Sequence, residues 1–177
     1  MEFGSDLLEK PTHDLNGRKP VIGCFVDDSL GTRIYGPRSG LNNLCILHRH
    51  LGVSDHLGPL GCTLIFATQS YKSNIYGISP TIRNNCSSIA IFKTKSNKEL
   101  MGIAEEMGGF CTPEEFLEYY EMAMNECGCG CKSEHNILFV DTSPYEGNSN
   151  FRKNLNTMLY LKTDKDKDKK TLICIQE

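Results

Sequence analysis

The sequence predicts an α/β protein in which helices pack on a sheet of buried strands. The first observation is a set of short apolar runs bounded by turn residues, which are typical of buried strands. The second is that helical segments with one apolar stripe lie between these runs, and such a stripe is most simply a face packed on the sheet. The predicted strands are residues 21–26, 62–68, 88–92 and 136–141, with a last edge strand at 172–175.

Local start and stop signals define the predicted helices. Thr112 is an N-cap residue, Pro113 occupies the first helical position, and Glu115 stands where a capping box requires it. Ser79 and Pro80 begin a short helix in the same way, and Gly52 ends an earlier one. The predicted helices are residues 41–51, 79–85, 95–108 and 112–124.

Length and composition indicate one soluble domain. The chain has 177 residues, of which 39% are hydrophobic and 23% charged. Its net charge of −3 gives no overall attraction to nucleic acid, so any DNA contact must come from local basic patches. No apolar run approaches the roughly 20 residues of a membrane span.

The first predicted strand ends abruptly in two carboxylates, Asp27 and Asp28. A Walker B motif places its acids there, so that one acid holds Mg²⁺ through water and the next orients the water attacking a γ-phosphate. In this interpretation Asp27 is the Mg²⁺ ligand and Asp28 the catalytic acid. The alternative is a strand followed by a turn, since Asp and Ser are also turn and N-cap residues.

Two further polar residues follow at positions that suit phosphate chemistry. Gln69 ends the second strand, where P-loop ATPases keep a sensor that hydrogen-bonds the γ-phosphate or its attacking water. Arg83 precedes the third strand and is placed to contact a phosphate, in its own subunit or across a subunit interface. The alternatives are a strand-capping role for Gln69 and a surface salt bridge for Arg83.

Nine cysteines and the absence of a secretory signal favour a reducing compartment. Cys127, Cys129 and Cys131, followed by His135, form a candidate zinc set of three thiolates and one imidazole. Their spacing is not the usual Cys-x₂-Cys, and the alternative is a Gly-rich loop whose thiols bind nothing.

Taken in order, these motifs resemble the DNA-packaging ATPases of nucleocytoplasmic large DNA viruses, the poxvirus-type members of the FtsK–HerA group of P-loop NTPases. The resemblance covers about residues 21–161 and depends on the order of the motifs. They are the acid pair at 27–28, Arg-His at 49–50, Ala-Thr-Gln-Ser at 67–70, Ser-Pro-Thr-Ile-Arg-Asn-Asn at 79–85 and Phe-Arg-Lys-Asn at 151–154.

The resemblance implies a RecA-like, mostly parallel sheet flanked by helices, in a ring-forming subunit that uses ATP and Mg²⁺ to move double-stranded DNA into a capsid. Asp27 then matches the Mg²⁺ acid, and Asp28 matches the catalytic acid, which is usually Glu in the FtsK branch. Gln69 matches the sensor and Arg83 a phosphate-reading arginine. The implied partners are sister subunits and capsid or portal-vertex proteins, in the viral factory of the host cytoplasm or in the virion.

One departure from the family concerns Walker A, because no Gly-x-x-x-x-Gly-Lys-Ser/Thr occurs in the chain. Residues 1–5 read as a cloning scar, so the expectation is an N-terminally truncated ATPase that binds ATP weakly or not at all when alone. The predicted organisation is a linker at 6–20, the C-terminal part of the ATPase domain at 21–161 and a charged tail at 162–177.

Two other functions also fit these residues. Asp27 or Asp28 with Asp141 and Glu146 suggests an RNase H-like nuclease, in which carboxylates share two metal ions. The other rival is a non-catalytic module that docks to DNA or capsid through basic residues. The DNA-contacting candidates are Arg33, Arg38 and Lys72, joined in the module hypothesis by Arg49, Arg152 and Lys153.

Overall fold

The computed structural model is of mixed α/β class and forms two compact units, Met1–Asn85 and Cys86–Glu177. It describes residues 22–27, 32, 34, 39–51, 53–54, 58–59, 61–72, 77–125, 135–164 and 169–176.

The first unit contains a parallel strand pair. Strand β1 (Gly23–Asp27) pairs with β4 (Thr63–Ala67), with Gly23 opposite Thr63 and Asp27 opposite Ala67. This pairing agrees with the parallel arrangement expected for the first two predicted strands. Between them lie helix α1 (Gly40–Leu47), a 3₁₀ turn (His48–His50) and a short hairpin of β2 (Val53–Ser54) and β3 (Gly58–Pro59), and helix α2 (Pro80–Asn84) follows β4.

A glycine sets the entry into β4. Gly61 has a φ of +75°, a conformation that side-chain-bearing residues rarely adopt, and its amide donates to the Leu51 carbonyl at 2.9 Å. The next amide, that of Cys62, donates to the His48 carbonyl at 2.7 Å. These bonds attach the start of β4 to the end of the α1 segment, which fixes where β4 begins beside β1.

The second unit is an antiparallel sheet with two helices. Its strands are β5 (Ser88–Phe92), β6 (Ile137–Asp141), β7 (Phe151–Lys153), β8 (Thr157–Asp164) and β9 (Lys169–Gln176), paired in that order. Helices α3 (Asn97–Glu106) and α4 (Pro113–Met124) lie in sequence between β5 and β6. All four strand pairs are antiparallel.

The prediction of a mostly parallel sheet is therefore wrong for the strands that the structure describes. A single helix between two strands reverses the chain twice and so returns it for parallel pairing. The second helix of the α3–α4 pair adds a third reversal, so β6 runs opposite to β5. The later connections are too short for a crossover. The strand expected at 172–175 lies within β9, and the boundary predicted between 161 and 162 falls inside β8.

Helix α4 provides the centre of the core of the second unit. Its capping box is formed as predicted, since the Glu115 amide donates to Thr112 Oγ1 at 3.2 Å and the Thr112 amide to Glu115 Oε2 at 2.9 Å. Phe116 is fully buried, and Tyr119 stacks on Phe151 with ring centroids 4.2 Å apart. The apolar stripe predicted for α3 is also buried, at Leu100, Ile103, Ala104 and Met107.

Candidate functional site

The carboxyl ends of β1 and β4 meet at one edge of the parallel pair. Asp27 ends β1 opposite Ala67, and Gln69 follows Ala67 by two residues. Both Asp27 and Gln69 are exposed at this edge. Asp28, the predicted catalytic acid, lies outside the described residues. The register therefore brings the Mg²⁺ candidate and the sensor candidate to the same end of adjacent strands, as expected for residues that act on one ligand.

A side-chain turn fixes the backbone around Gln69. Thr68 Oγ1 donates to the Ser70 carbonyl at 2.9 Å and accepts from the Ser70 amide at 3.3 Å. The two bonds join the residues on either side of Gln69, so the backbone of this short segment is held while the amide side chain is at the surface.

Arg83 contacts two residues that follow β4 in the chain, Tyr71 and Ile78. Its Nη1 donates to the Ile78 carbonyl and, at 3.5 Å, to the Tyr71 carbonyl. The guanidinium carbon is 5.3 Å from the centroid of the Tyr71 ring, within the range of a cation–π contact. The phosphate-reading role of Arg83 stays a prediction, and the structure adds that its guanidinium contacts its own subunit.

Helix α2, which carries Arg83, is fixed to α1 by a buried polar contact. Ser79 Oγ donates to Asn42 Oδ1 at 2.6 Å and also caps α2 by accepting from the Ile82 amide at 3.4 Å. Asn42 is 4% exposed. Sequence reasoning missed Asn42, although an amide between Leu41 and the apolar positions 44–45 of one helix was a signal of a buried polar partner.

The predicted basic residues fall into different environments. Lys72 and Arg49 are exposed, whereas Arg33 and Arg38 lie outside the described residues. In the second unit, Arg152 Nη2 is 3.6 Å from Asp141 Oδ2. Lys153 is 2% exposed and donates from Nζ to the Asn125 carbonyl. The inclusion of Lys153 in a surface patch is therefore wrong.

The acids of the nuclease hypothesis belong to different units. Asp27 is in the first unit, and Asp141 and Glu146 are in the second. Besides its ion pair with Arg152, Asp141 accepts from the Ser143 amide at 3.0 Å through Oδ1. Both oxygens of the Asp141 carboxylate thus have protein partners, so the observed contacts give it a structural role at the end of β6.

Within the described ranges, no group of three or more His, Cys, Asp or Glu side chains is arranged to hold a metal ion. Of the candidate zinc set, Cys127, Cys129 and Cys131 lie outside those ranges, and His135 is exposed. The zinc assignment stays a prediction.

Burial keeps several of the other thiols protonated. It raises the pKa of Cys62, with a further contribution from nearby Cys24, and it also raises the pKa of Cys86. Burial and then the Glu115 carboxylate raise the pKa of Cys111 to about 11. Because the thiolate is the nucleophile and the metal ligand, these environments disfavour reactive chemistry at neutral pH.

Alkylation of Cys111 should therefore require unusually alkaline solution. We expect its rate with iodoacetamide, followed by mass spectrometry of the peptide, to be half-maximal near pH 11, against about 8.5 for a cysteine in an unstructured, end-blocked peptide. The Glu115→Gln variant should shift the midpoint to lower pH, because it removes the carboxylate charge and keeps a capping-box side chain. A wild-type midpoint below pH 9 would contradict the assigned environment.

Comparison of the chain with protein-family models, curated proteins and solved structures finds no match. Of the helices in the described ranges, none combines the length and the apolar character that crossing a membrane requires.

Proposed function

We propose that this chain supplies the Walker B and sensor half of an ATP-driven motor that translocates double-stranded DNA into a viral capsid. The observation that supports this best is the parallel register of β1 and β4, with Asp27 at one strand end and Gln69 just beyond the other. A P-loop ATPase needs an acid and a polar sensor on neighbouring strands, because both act on the same γ-phosphate.

The donor set at this edge suits Mg²⁺, because carboxylate oxygens are hard ligands and Asp27 is exposed at the strand end. When bound with ATP, Mg²⁺ would neutralise charge on the phosphates. Asp27 would hold its water shell, and Asp28 would orient the attacking water and accept its proton. The Gln69 amide would donate to the γ-phosphate or align that water.

The proposal extends to the partners that such a motor needs. Sister subunits would form a homo-oligomeric ring, and double-stranded DNA would pass along basic residues that include Lys72, Arg33 and Arg38. Capsid or portal-vertex proteins would hold the ring in the viral factory of the host cytoplasm or in the virion. The phosphate cradle of Walker A would be supplied by sequence upstream of this chain.

Hydrolysis by the protein expressed with its native upstream reading frame tests the proposal. We expect ATPase activity that double-stranded DNA stimulates, and a fall of at least tenfold in kcat for Asp27→Asn and for Asp28→Asn, since tenfold is only about 1.4 kcal/mol of transition-state stabilisation. The matched control is Glu121→Gln, the same carboxylate-to-amide change on an exposed position of α4.

Two results would count against the motor. Unchanged kcat in both aspartate variants would remove the Walker B assignment. Salt-dependent DNA binding by a protein that hydrolyses no ATP, even with its upstream sequence, would favour the docking module, and metal-dependent DNA cleavage lost in Asp27→Asn would favour the nuclease.

A further inference from the structure

Tyr71 and Ile78, which both follow β4 in the chain, form a backbone contact that we call the neck. The Ile78 amide donates to the Tyr71 carbonyl at 3.2 Å. Arg83 contacts both sides of this neck, through bonds from Nη1 to the carbonyls of Tyr71 and Ile78 and through the face of the Tyr71 ring. One guanidinium thus makes three contacts with the neck.

Helix α2, which carries Arg83, is itself fixed in the first unit. Ile78 and Ile82 are 7% and 1% exposed, so the start and the middle of the α2 segment are packed into the first unit. The Ser79–Asn42 bond at 2.6 Å joins the same segment to α1. A side chain that projects from so fixed a helix holds the neck at a defined position relative to the helices.

We infer that Arg83 is a positioning residue that keeps the neck closed and thereby presents Lys72, the exposed residue next to Tyr71, to the DNA backbone. This inference depends on the proposed contact of Lys72 with DNA. It differs from direct phosphate reading by Arg83, because the guanidinium acts through Tyr71 and Ile78 on a neighbouring lysine. The planar guanidinium suits the task, since it can donate to carbonyls while it stacks on a ring.

If Arg83 contacts DNA directly, the salt dependence of binding should differ from that expected if Arg83 only positions Lys72. Each lysine or arginine that contacts a DNA phosphate contributes about 0.9 to the slope of log K against log salt. If Arg83 contacts DNA directly, its loss and that of Lys72 add. If Arg83 only positions Lys72, losing either residue removes the same single contact.

The test is the salt dependence of binding of this chain to a fluorescein-labelled DNA duplex, measured by anisotropy between about 50 and 200 mM salt. We expect Lys72→Gln, Arg83→Gln and the uncharged change Tyr71→Leu each to lower the slope by about 0.9. The double variant Lys72→Gln/Arg83→Gln should lose no more than either single variant. Arg83→Lys should not restore the slope, because an ammonium lacks the planar fork.

Tyr71→Phe is the matched control, because it keeps the aromatic ring that the guanidinium contacts and that Tyr71→Leu removes, and it should bind like the wild type. Limited trypsin digestion gives a second measurement that does not involve DNA. Cleavage after Lys72 should be faster in Tyr71→Leu and Arg83→Lys than in the wild type and Tyr71→Phe.

The outcomes separate the two proposals. A wild-type chain whose DNA binding shows no salt dependence would overturn both the Lys72 contact and the positioning role. Salt-dependent binding that falls with Lys72→Gln but not with Tyr71→Leu or Arg83→Gln would overturn the positioning role alone. A loss of about 1.8 in the double variant would instead establish Arg83 as a direct phosphate contact.

Discussion

The Phe116→Ala variant is expected to lower the free energy of unfolding of the second unit by about 3–5 kcal/mol. This is the usual range when a buried aromatic side chain is replaced by alanine and a cavity is left. Phe116 has no exposed surface, and its ring meets that of Phe151 edge-on with centroids 6.2 Å apart. Removing the ring loses its burial and also the support of Phe151, which stacks on Tyr119. Urea unfolding followed by circular dichroism measures the loss.

Phe110→Ala is the matched control for this prediction. Phe110 is 41% exposed just after α3, so the same chemical change should cost much less, on the order of 1 kcal/mol. Similar losses in the two variants would mean that Phe116 is not central to the packing of α4 on the sheet. A loss several times larger in Phe116→Ala than in Phe110→Ala would support the central place of the Phe116 ring in the core.

Helix α4 shows which parts of the fold the sequence could predict. Its start depends on Thr112, Pro113 and Glu115, whose capping bonds are local, so four consecutive residues suffice to predict it. The same holds for α2, where Ser79 caps and Pro80 takes the first position. The buried residues of α4, Phe116, Tyr119, Tyr120 and Ala123, recur at the helical period, which is a local property of the sequence.

Strand direction was less predictable than strand position. Residues 88–92 and 137–141 were recognised as strands from their apolar runs, but their mutual direction depends on how the chain returns through α3 and α4. Periodicity within each strand carries no information on that path. The parallel β1–β4 pair agrees with the sheet that the resemblance implied, because the order of the motifs along the chain places these two strands side by side.

In the candidate site, the positions set by the backbone were predictable from the sequence, and the side-chain contacts were not. Asp27 and Gln69 were placed together by strand order, which is a property of the backbone. The contacts of Arg83 with Tyr71 and Ile78 depend on where a long side chain turns, and only the folded neck fixes that direction. Asn42 was missed because its partner, Ser79, is 37 residues away in the chain.

Lys153 was assigned to a basic surface segment because the sequence at 151–153 reads Phe-Arg-Lys. The structure places those residues in β7 with the burial pattern buried, intermediate, buried. Since alternate residues of a strand share a face, Lys153 lies on the face of Phe151. Its Nζ donates to the carbonyl of Asn125, which caps the C-terminal end of α4, where the helix dipole favours a positive charge.

Lys153→Ala is therefore expected to lower the free energy of unfolding by about 2–4 kcal/mol, because it leaves a cavity and an unsatisfied carbonyl. Lys153→Met removes the charged amine and its hydrogen bond but keeps most of the volume, so it should cost less, about 1–2 kcal/mol. Urea denaturation of the two variants beside the wild type measures both values. Equal losses would show that the amine, and not the packing of the stem, is what β7 needs.

The same Met variant distinguishes a buried lysine from a DNA contact. An amine that is 2% exposed and bonded to Asn125 cannot neutralise a phosphate without breaking that bond. We expect Lys153→Met to leave the salt slope of DNA binding unchanged, whereas Lys72→Gln lowers it by about 0.9. A reduced slope in Lys153→Met would mean that β7 opens on DNA, and would return Lys153 to the interaction surface that its sequence context suggested.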